Sequence, residues 1–203
     1  MIREAIEWSQ FYWYATDRAE LPRVLLIGDS IVVGSAGAVQ TRLGAHATLA
    51  TFASSKIVGD PGYNLELELI LSDYLPQVIL FNNGLHGRDY PDDFYCAGLV
   101  VAVERLQAKC PQAKLLWRSS TPVTVEGDPA TLDPVVNALV ERRNRIAAEV
   151  MTSRGIPVFD LYTHMLDHPE LRVADGYHYL QPGYERIAEF LAPKILEGLA
   201  AEK

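Results

Sequence analysis

Two short segments, far apart in the chain, carry side chains that together can perform nucleophilic chemistry. One reads Gly-Asp-Ser and ends at Ser30, and the other reads Asp-Gly-Tyr-His and runs from Asp175 to His178. A serine hydroxyl becomes a strong nucleophile when an imidazole accepts its proton, and a carboxylate can hold that imidazole in orientation. The two segments therefore supply three of the groups that acyl transfer needs, provided that the fold brings them together.

Further small and amide-bearing residues follow other apolar runs of the sequence. They are Gly59 after the second run, and Asn82, Asn83 and His86 after the third. Ligands of parallel α/β sheets bind at the carboxyl ends of the strands, so we expect these residues to lie near Ser30. Backbone and side-chain N–H groups at such an edge can stabilise the oxyanion that forms during acyl transfer.

Five short apolar runs alternate with longer helical patterns, which predicts a parallel sheet covered by helices on both faces. The predicted strands are residues 23–28, 47–52, 77–82, 113–118 and 156–161. The helical patterns cover about residues 34–44, a stretch after Pro61, residues 91–109, residues 133–154 and the chain from Pro182 onward. We expect one domain over residues 1–203, an α/β/α sandwich of about five parallel strands in the order 2-1-3-4-5.

The first twenty residues precede this pattern and contain four clustered aromatic side chains. These are Trp8, Phe11, Trp13 and Tyr14. We predict an extra N-terminal helix over residues 1–20 that packs on the body of the domain. Its aromatic side chains are interpreted as core or dimer contacts, not as a ligand site.

Composition excludes several classes of protein. Hydrophobic residues make up 49% of the 203 residues and charged residues 22%, as in globular proteins. The formal net charge is -8 and there is no basic run, which argues against nucleic acid and anionic membranes as partners. No stretch has the features of a signal peptide or a bilayer span, so a cytoplasmic location is expected. The oligomeric state stays open.

The cysteine and histidine spacings predict neither a disulfide nor a metal site. Cys96 and Cys110 lie fourteen residues apart in one predicted helix, a separation of about 21 Å that no disulfide can bridge. His164 and His168 have a spacing that could bind a metal on a helix, but Pro169 follows directly and no third ligand is evident. We interpret the two histidines as a surface pair.

Four segments together resemble the SGNH (GDSL-like) hydrolase superfamily, and the resemblance extends from about Pro22 onward. They are VLLIGDS at residues 24–30, IVGDP at 57–61, DGYH at 175–178 and QPGYERIAEFLA at 181–192. Gly-Asp-Ser alone is a weak signal, but Gly-Asp-Ser after the first strand together with Asp-x-x-His before the last helix is specific. The resemblance implies that Ser30 is the nucleophile, that Asp175 orients His178, and that the Gly59 amide donates to the oxyanion.

The third block departs from the family pattern. The family shows Gly-x-Asn-Asp after the third strand, whereas this chain reads Gly-Leu-His-Gly from Gly84, which puts His86 in the position of the asparagine. An imidazole can donate a hydrogen bond, so His86 is one candidate for the third oxyanion donor. Asn83 or Asn82 is the alternative if the loop runs differently, and His86 could instead only fix the loop.

Three functions are compatible with these residues. The first is an esterase that cleaves small esters, such as acetyl esters, with no metal or organic cofactor, as the resemblance implies. The second is an acyltransferase that uses the same site, and the third is a non-catalytic binding domain, in which Ser30 would only cap a helix and Gly59 would only form a turn. Neither a dinucleotide fingerprint, nor a Walker A loop, nor a G-x-S-x-G elbow is present in the sequence.

Overall fold

The structure is a computed structural model that describes residues 2–200 of the chain. Its strands are β1 (Ser9–Tyr14), β2 (Arg23–Gly28), β3 (Thr48–Ser54), β4 (Val78–Phe81), β5 (Lys114–Arg118), β6 (Thr124–Val125), β7 (Asp128–Leu132) and β8 (Val158–Phe159). Six of them form the central sheet in the order β1-β3-β2-β4-β5-β8, and β6 and β7 form a separate hairpin.

Several helices begin after an aspartate whose side chain accepts from a free amide of the first turn. The helices are α1 (Ser30–Leu43), α2 (Pro61–Asp73), α3 (Asp92–Lys109), α4 (Val136–Thr152), α5 (Leu161–Leu166) and α6 (Gln181–Ala200), with one 3-10 turn at Pro169–Leu171. Asp29, Asp60 and Asp160 cap α1, α2 and α5. Over residues 2–200, no helix combines the length and apolarity that a bilayer crossing requires.

The five parallel strands have the order predicted from the sequence. Numbered along the chain from β2, they lie side by side as 2-1-3-4-5, and all neighbouring pairs among them are parallel. The chain changes direction across the sheet at β2, between β3 and β4. The loops that follow these three strands therefore meet at one edge, where ligands of such sheets bind.

Alternating strand residues fill two cores, one on each face of the sheet. Ile27, Phe81 and Trp117 belong to the core beneath α2, α3 and α4. Leu26 and Leu80 belong to the core beneath α1 and α6. Both faces are covered, so the strands read as continuous apolar runs, and the prediction of a three-layer α/β/α sandwich is confirmed.

The predicted N-terminal helix over residues 1–20 is wrong. Residues 9–14 form β1, which pairs antiparallel with β3 and extends the sheet at that edge. Phe11 lies opposite Phe52 in the register and stacks on it at 5.2 Å, whereas Tyr12 is 52% exposed. Phe11 contacts Trp13 on one face of the strand and Tyr12 contacts Tyr14 on the other. The aromatic side chains therefore alternate between the two faces with the period of a strand, and aromatic residues favour strands.

The sequence does not predict the β6–β7 hairpin, because β6 has only two residues and shows no period. Gly127 makes the turn between them with φ of +84°. The hairpin is bonded to the loop that carries Asp175: Thr124 N–H donates to the Gly176 carbonyl at 2.9 Å, and Gly127 N–H donates to the Ala174 carbonyl at 2.7 Å. The hairpin thus supports one segment of the candidate site.

Candidate active site

Ser30 is the first residue of α1, immediately after β2. The cap of this helix is Asp29, whose Oδ1 accepts from the Ile31 amide at 3.0 Å. Asp29 is 4% exposed, and its Oδ1 lies 4.0 Å from a guanidinium nitrogen of the equally buried Arg118. Since Asp29 performs the capping, the Ser30 hydroxyl is free for another partner, and its own backbone N–H is one that a helix leaves unpaired.

Ser30, His178 and Asp175 form one hydrogen-bonded series, although the chain separates Ser30 from His178 by 148 positions. Ser30 Oγ lies 2.9 Å from Nε2 of His178, and Nδ1 of the same ring lies 2.7 Å from Oδ2 of Asp175. An ionised carboxylate accepts the Nδ1 proton, which leaves Nε2 to accept from the serine hydroxyl. The geometry is that of a nucleophile, a base and an orienting carboxylate.

The Asp175 carboxylate is held in its ionised form. Partial burial acts to raise its pKa, but hydrogen bonds from the backbone amides of His178 and Tyr177 and from the His178 ring lower the pKa below its ordinary value. Both amides donate to Oδ1 at 2.9 Å, so Oδ2 stays directed at the imidazole. Asp175 thus keeps its charge and its orientation together.

Gly176 allows the hairpin to approach the segment between Asp175 and His178. It has φ of +85°, and a Cβ at this position would lie 2.4 Å from the Thr124 carbonyl oxygen. A side chain would therefore push the hairpin away from the segment. Glycine is therefore required at position 176 by the packing of the hairpin as well as by the positive φ of the turn.

Gly59 lies in the loop between β3 and α2, which we call the second loop (residues 55–60). It has φ of +90°, and a Cβ there would lie 3.1 Å from the Phe94 ring. The amide just before it, that of Val58, donates to Oδ1 of Asn83 at 3.3 Å, while Nδ2 of Asn83 donates to the Lys56 carbonyl at 2.9 Å. Asn83 thus fastens the second loop through both ends of its side-chain amide.

His86 lies in the loop between β4 and α3, which we call the third loop (residues 82–91). Its Nδ1 lies 3.1 and 3.2 Å from the two carboxylate oxygens of Glu4. Its ring also packs edge-on against Trp8, with centroids 6.1 Å apart. Within residues 2–200 the Nε2 atom is buried and has no hydrogen-bond partner, so one ring nitrogen is engaged and the other is unpaired.

The third loop is fixed from below by Arg143 of α4, which is 0% exposed. Its Nη1 donates to the carbonyls of His86 at 2.7 Å and Gly84 at 3.3 Å, and its Nη2 donates to those of Gly87 at 2.8 Å and Tyr90 at 3.4 Å. One buried guanidinium therefore satisfies four carbonyls of an irregular loop. Nothing in the sequence around Arg143 predicts this contact, since the residue lies within a helix of ordinary amphipathic pattern.

A cavity of about 200 Å³ opens beside Ser30. Its walls are formed by Glu4, Trp8, Ser30, Leu85, His86, Arg88, Tyr177 and His178. Ser30, His178 and His86 were expected here from the sequence, whereas the N-terminal residues Glu4 and Trp8 were not. The contact between Glu4 and His86 spans 82 positions, and the aromatic cluster near Trp8 was the only feature that could have directed attention to this segment.

The other histidines and cysteines that the sequence analysis considered, His164, His168, Cys96 and Cys110, do not line the cavity beside Ser30. Residues 2–200 contain no group of three or more His, Cys, Asp or Glu side chains arranged around a metal position. His164 stacks on Phe190 at 4.4 Å, and His168 pairs with Glu170 at 3.0 Å. Both cysteines are free thiols.

Comparison with known proteins identifies the fold and the family of the chain. Three solved structures have the same fold, each with a TM-score of 0.67. An acetylxylan esterase from Geobacillus stearothermophilus is 16% identical, over 86% of this chain and 94% of that one. An aryl esterase from M. smegmatis is 15% identical, over 87% of this chain and 99% of that one, and a lipase/acylhydrolase from Enterococcus faecalis is 18% identical, over 86% of this chain and 95% of that one. No curated protein matches the sequence significantly. The profile of the GDSL-like lipase/acylhydrolase family matches residues 26–186, which include both the Gly-Asp-Ser and the Asp-x-x-His segments. The chain therefore belongs to the GDSL-like lipase/acylhydrolase family and is a carboxylic ester hydrolase.

Proposed function

We propose that this enzyme hydrolyses small esters, with acetyl as the preferred acyl group, through a covalent intermediate on Ser30. The observation that carries the proposal is the series of hydrogen bonds from Ser30 Oγ through His178 to Asp175, at 2.9 and 2.7 Å. Both distances are within the reach required for proton transfer between a nucleophile and its base.

The positions of these atoms support the following reaction. His178 Nε2 takes the proton of Ser30 Oγ as the oxygen forms a bond to the ester carbonyl carbon, and the carbonyl oxygen becomes an oxyanion. The carbon–oxygen bond to the alcohol then breaks, and His178 returns the proton to the leaving alcohol. Water attacks the acyl group on Ser30 by the same steps, which releases the acid and restores the hydroxyl.

The oxyanion is proposed to bind the backbone amides of Ser30 and Gly59 and one side-chain donor. His86 is favoured for the side chain, since it lines the cavity beside Ser30 and its buried Nε2 has no partner within residues 2–200. Asn83 is the rival, with one Nδ2 proton already donated to the Lys56 carbonyl. Donors aimed at the oxyanion act when charge develops on the carbonyl oxygen.

Two features favour a small acyl group and hydrolysis over transfer. The cavity of about 200 Å³ is smaller than the roughly 300–1,000 Å³ of pockets that hold larger ligands. The side chains of His178 and Asp175 are 40% and 43% exposed, so water can reach an acyl group on Ser30. An acyltransferase would need to exclude water at this point.

The test is an ester panel measured beside the variant Ser30→Ala. Solved relatives of the same fold include an acetylxylan esterase and an aryl esterase, which makes acetylated xylo-oligosaccharides and aryl acetates the first substrates to measure. We expect hydrolysis that falls as the acyl chain lengthens from acetyl to octanoyl and that disappears in Ser30→Ala with an unchanged thermal midpoint. A fully active Ser30→Ala protein would refute the mechanism.

A further inference from the structure

The segment before β1 is attached to the loops that surround Ser30. We call residues 2–8 the N-terminal segment. The Ile2 amide donates to the Tyr90 hydroxyl at 2.6 Å, and the Trp8 amide donates to Ser55 Oγ at 2.8 Å. Arg3 pairs with Asp60, the buried cap of α2, at 2.9 Å. These contacts place Glu4 and Trp8 in the wall of the cavity.

Glu4 binds the third loop at two points. Both of its carboxylate oxygens contact Nδ1 of His86, and Oε1 also accepts from the Gly87 amide at 3.0 Å. The Glu4 side chain is 30% exposed and the His86 side chain 18%. The pair is therefore partly withdrawn from water, where a charged contact is stronger than at the surface.

The proton positions on the His86 ring follow from this contact. An ionised carboxylate can only accept, so Nδ1 of His86 carries a proton that it donates to Glu4. If Nε2 also carries a proton, the ring is a cation with a donor available to the cavity. If it does not, Nε2 presents a lone pair, which would repel an oxyanion. A donor at Nε2 thus requires the doubly protonated ring.

We propose that Glu4 is a positioning residue that holds His86 as an imidazolium, with its Nε2–H directed to the oxyanion. This inference rests on the proposed function and extends the site to the N-terminal segment. The carboxylate fixes the ring through Nδ1 and balances its charge, since a partly buried cation without a counter-charge is costly. His86 then donates a charge-assisted hydrogen bond, which is stronger than one from a neutral amide.

Other charged and titratable groups surround His86. Arg88, Tyr177 and His178 line the same cavity, and Arg143 binds the His86 carbonyl from α4. Among the described residues that form the cavity wall, Glu4 is the one carboxylate, so it is the counter-charge that a cationic ring at this position would have.

The test is a double-mutant cycle on kcat and KM with an aryl acetate. We expect His86→Ala to lower kcat by on the order of 10²-fold, Glu4→Ala by about tenfold, and the double variant by no more than His86→Ala alone, with KM within about twofold throughout. Glu4→Gln keeps an acceptor for Nδ1 and for the Gly87 amide but removes the charge, so it should recover only part of kcat. A contact that only supports the loop would be restored in full by glutamine.

The matched control is Glu7→Ala, which removes the Arg3–Glu7 ion pair of 2.6 Å from the same segment without touching the cavity and should leave kcat unchanged. The inference is overturned if Glu4→Ala keeps kcat within twofold of the wild type. It is also overturned if the two single effects multiply in the double variant, or if Glu4→Gln has the kcat of the wild type. Each of these results leaves hydrolysis dependent on Ser30, whereas activity in Ser30→Ala would remove the proposed function itself.

Discussion

A serine at the start of a helix ordinarily serves as its cap, and Ser30 differs from such a residue in one contact. Asp29 already accepts the hydrogen bond from the first free amide of α1, so the Ser30 hydroxyl is not needed for capping. It contacts His178 instead, at 2.9 Å. Asp29 therefore caps the helix, and the Ser30 hydroxyl remains free for the chemical role that we propose for it.

The orienting carboxylate gives the first prediction at this scale. In Asp175→Asn the side-chain amide can donate to Nδ1 and hold the other tautomer, whose Nε2–H cannot accept the Ser30 proton. We expect kcat to fall by on the order of 10³–10⁴-fold, measured at saturating aryl acetate near neutral pH, where the lowered pKa of Asp175 keeps the wild-type carboxylate ionised. Asp128→Asn on the neighbouring hairpin should be fully active, and equal losses in both variants would contradict a specific role for Asp175.

Experiments can distinguish Asn83 from His86 as the side-chain donor, because the two side chains make different contacts. Asn83 bonds the second loop at Val58 and Lys56, so Asn83→Ala should lower the free energy of unfolding by about 1–3 kcal/mol in denaturant titrations. His86→Ala should leave stability nearly unchanged and lower kcat, and His86→Asn should regain part of the loss. If His86→Ala keeps normal kcat while Asn83→Ala loses it, the side-chain donor is the amide of Asn83.

At the scale of elements, the sequence predicts what local pattern determines and misses what distant pairing determines. The five parallel strands are visible because each is an apolar run between helical patterns, and their order follows from serial βα connections. The strand β1 is not visible in this way, because it stands outside the serial βα pattern and an aromatic cluster suits either a helix or a strand. The two-residue β6 is too short to show any period.

Packing of α3 against the second loop gives a prediction for two glycines. A Cβ on Gly98, inside α3, would lie 2.5 Å from the Val58 carbonyl oxygen and 2.9 Å from the Gly59 amide nitrogen. Gly98→Ala should therefore displace the Gly59 amide, lower kcat, and cost about 1–3 kcal/mol of stability. Gly37→Ala on α1 meets nothing within 4 Å and should raise stability by about 0.5–1 kcal/mol with normal kcat. Unfolding and kinetic measurements on both variants check the pair, and an equal effect of the two would contradict it.

The contacts of Arg143, in α4, with the third loop give another testable prediction. Replacing Arg143 by Met leaves the four loop carbonyls without their donor, which should cost about 3 kcal/mol and lower the thermal midpoint by roughly 6–12 °C. Residual activity measured below that midpoint should show reduced kcat, because His86 is carried by the same loop. Arg145→Met changes an exposed arginine of the same helix and should leave both the thermal midpoint and kcat unchanged. An equal fall of the thermal midpoint in Arg145→Met would show that the effect is not specific to the loop.

At the scale of the whole molecule, the candidate site is assembled from residues near both ends of the chain. The sequence supplied Ser30, Asp175 and His178, because each sits in a motif whose place after a strand or before the last helix can be recognised. It did not supply Glu4, Trp8 or Arg143, because nothing near these residues in sequence marks their long-range contacts with the third loop. The motif thus predicts the reacting groups, and the fold adds the residues that position them.

The most direct test of the central claim, that Ser30 is the nucleophile, is to locate the adduct left by a fluorophosphonate on the intact protein. Trypsin should release the labelled serine in the peptide of residues 24–42, and fragmentation distinguishes Ser30 from Ser35, whose buried hydroxyl donates to the Ile31 carbonyl. We expect one adduct per chain, on Ser30, with no labelling of His178→Ala and parallel loss of ester hydrolysis. An adduct at any other residue, or continued hydrolysis by a protein fully labelled on Ser30, would contradict the account.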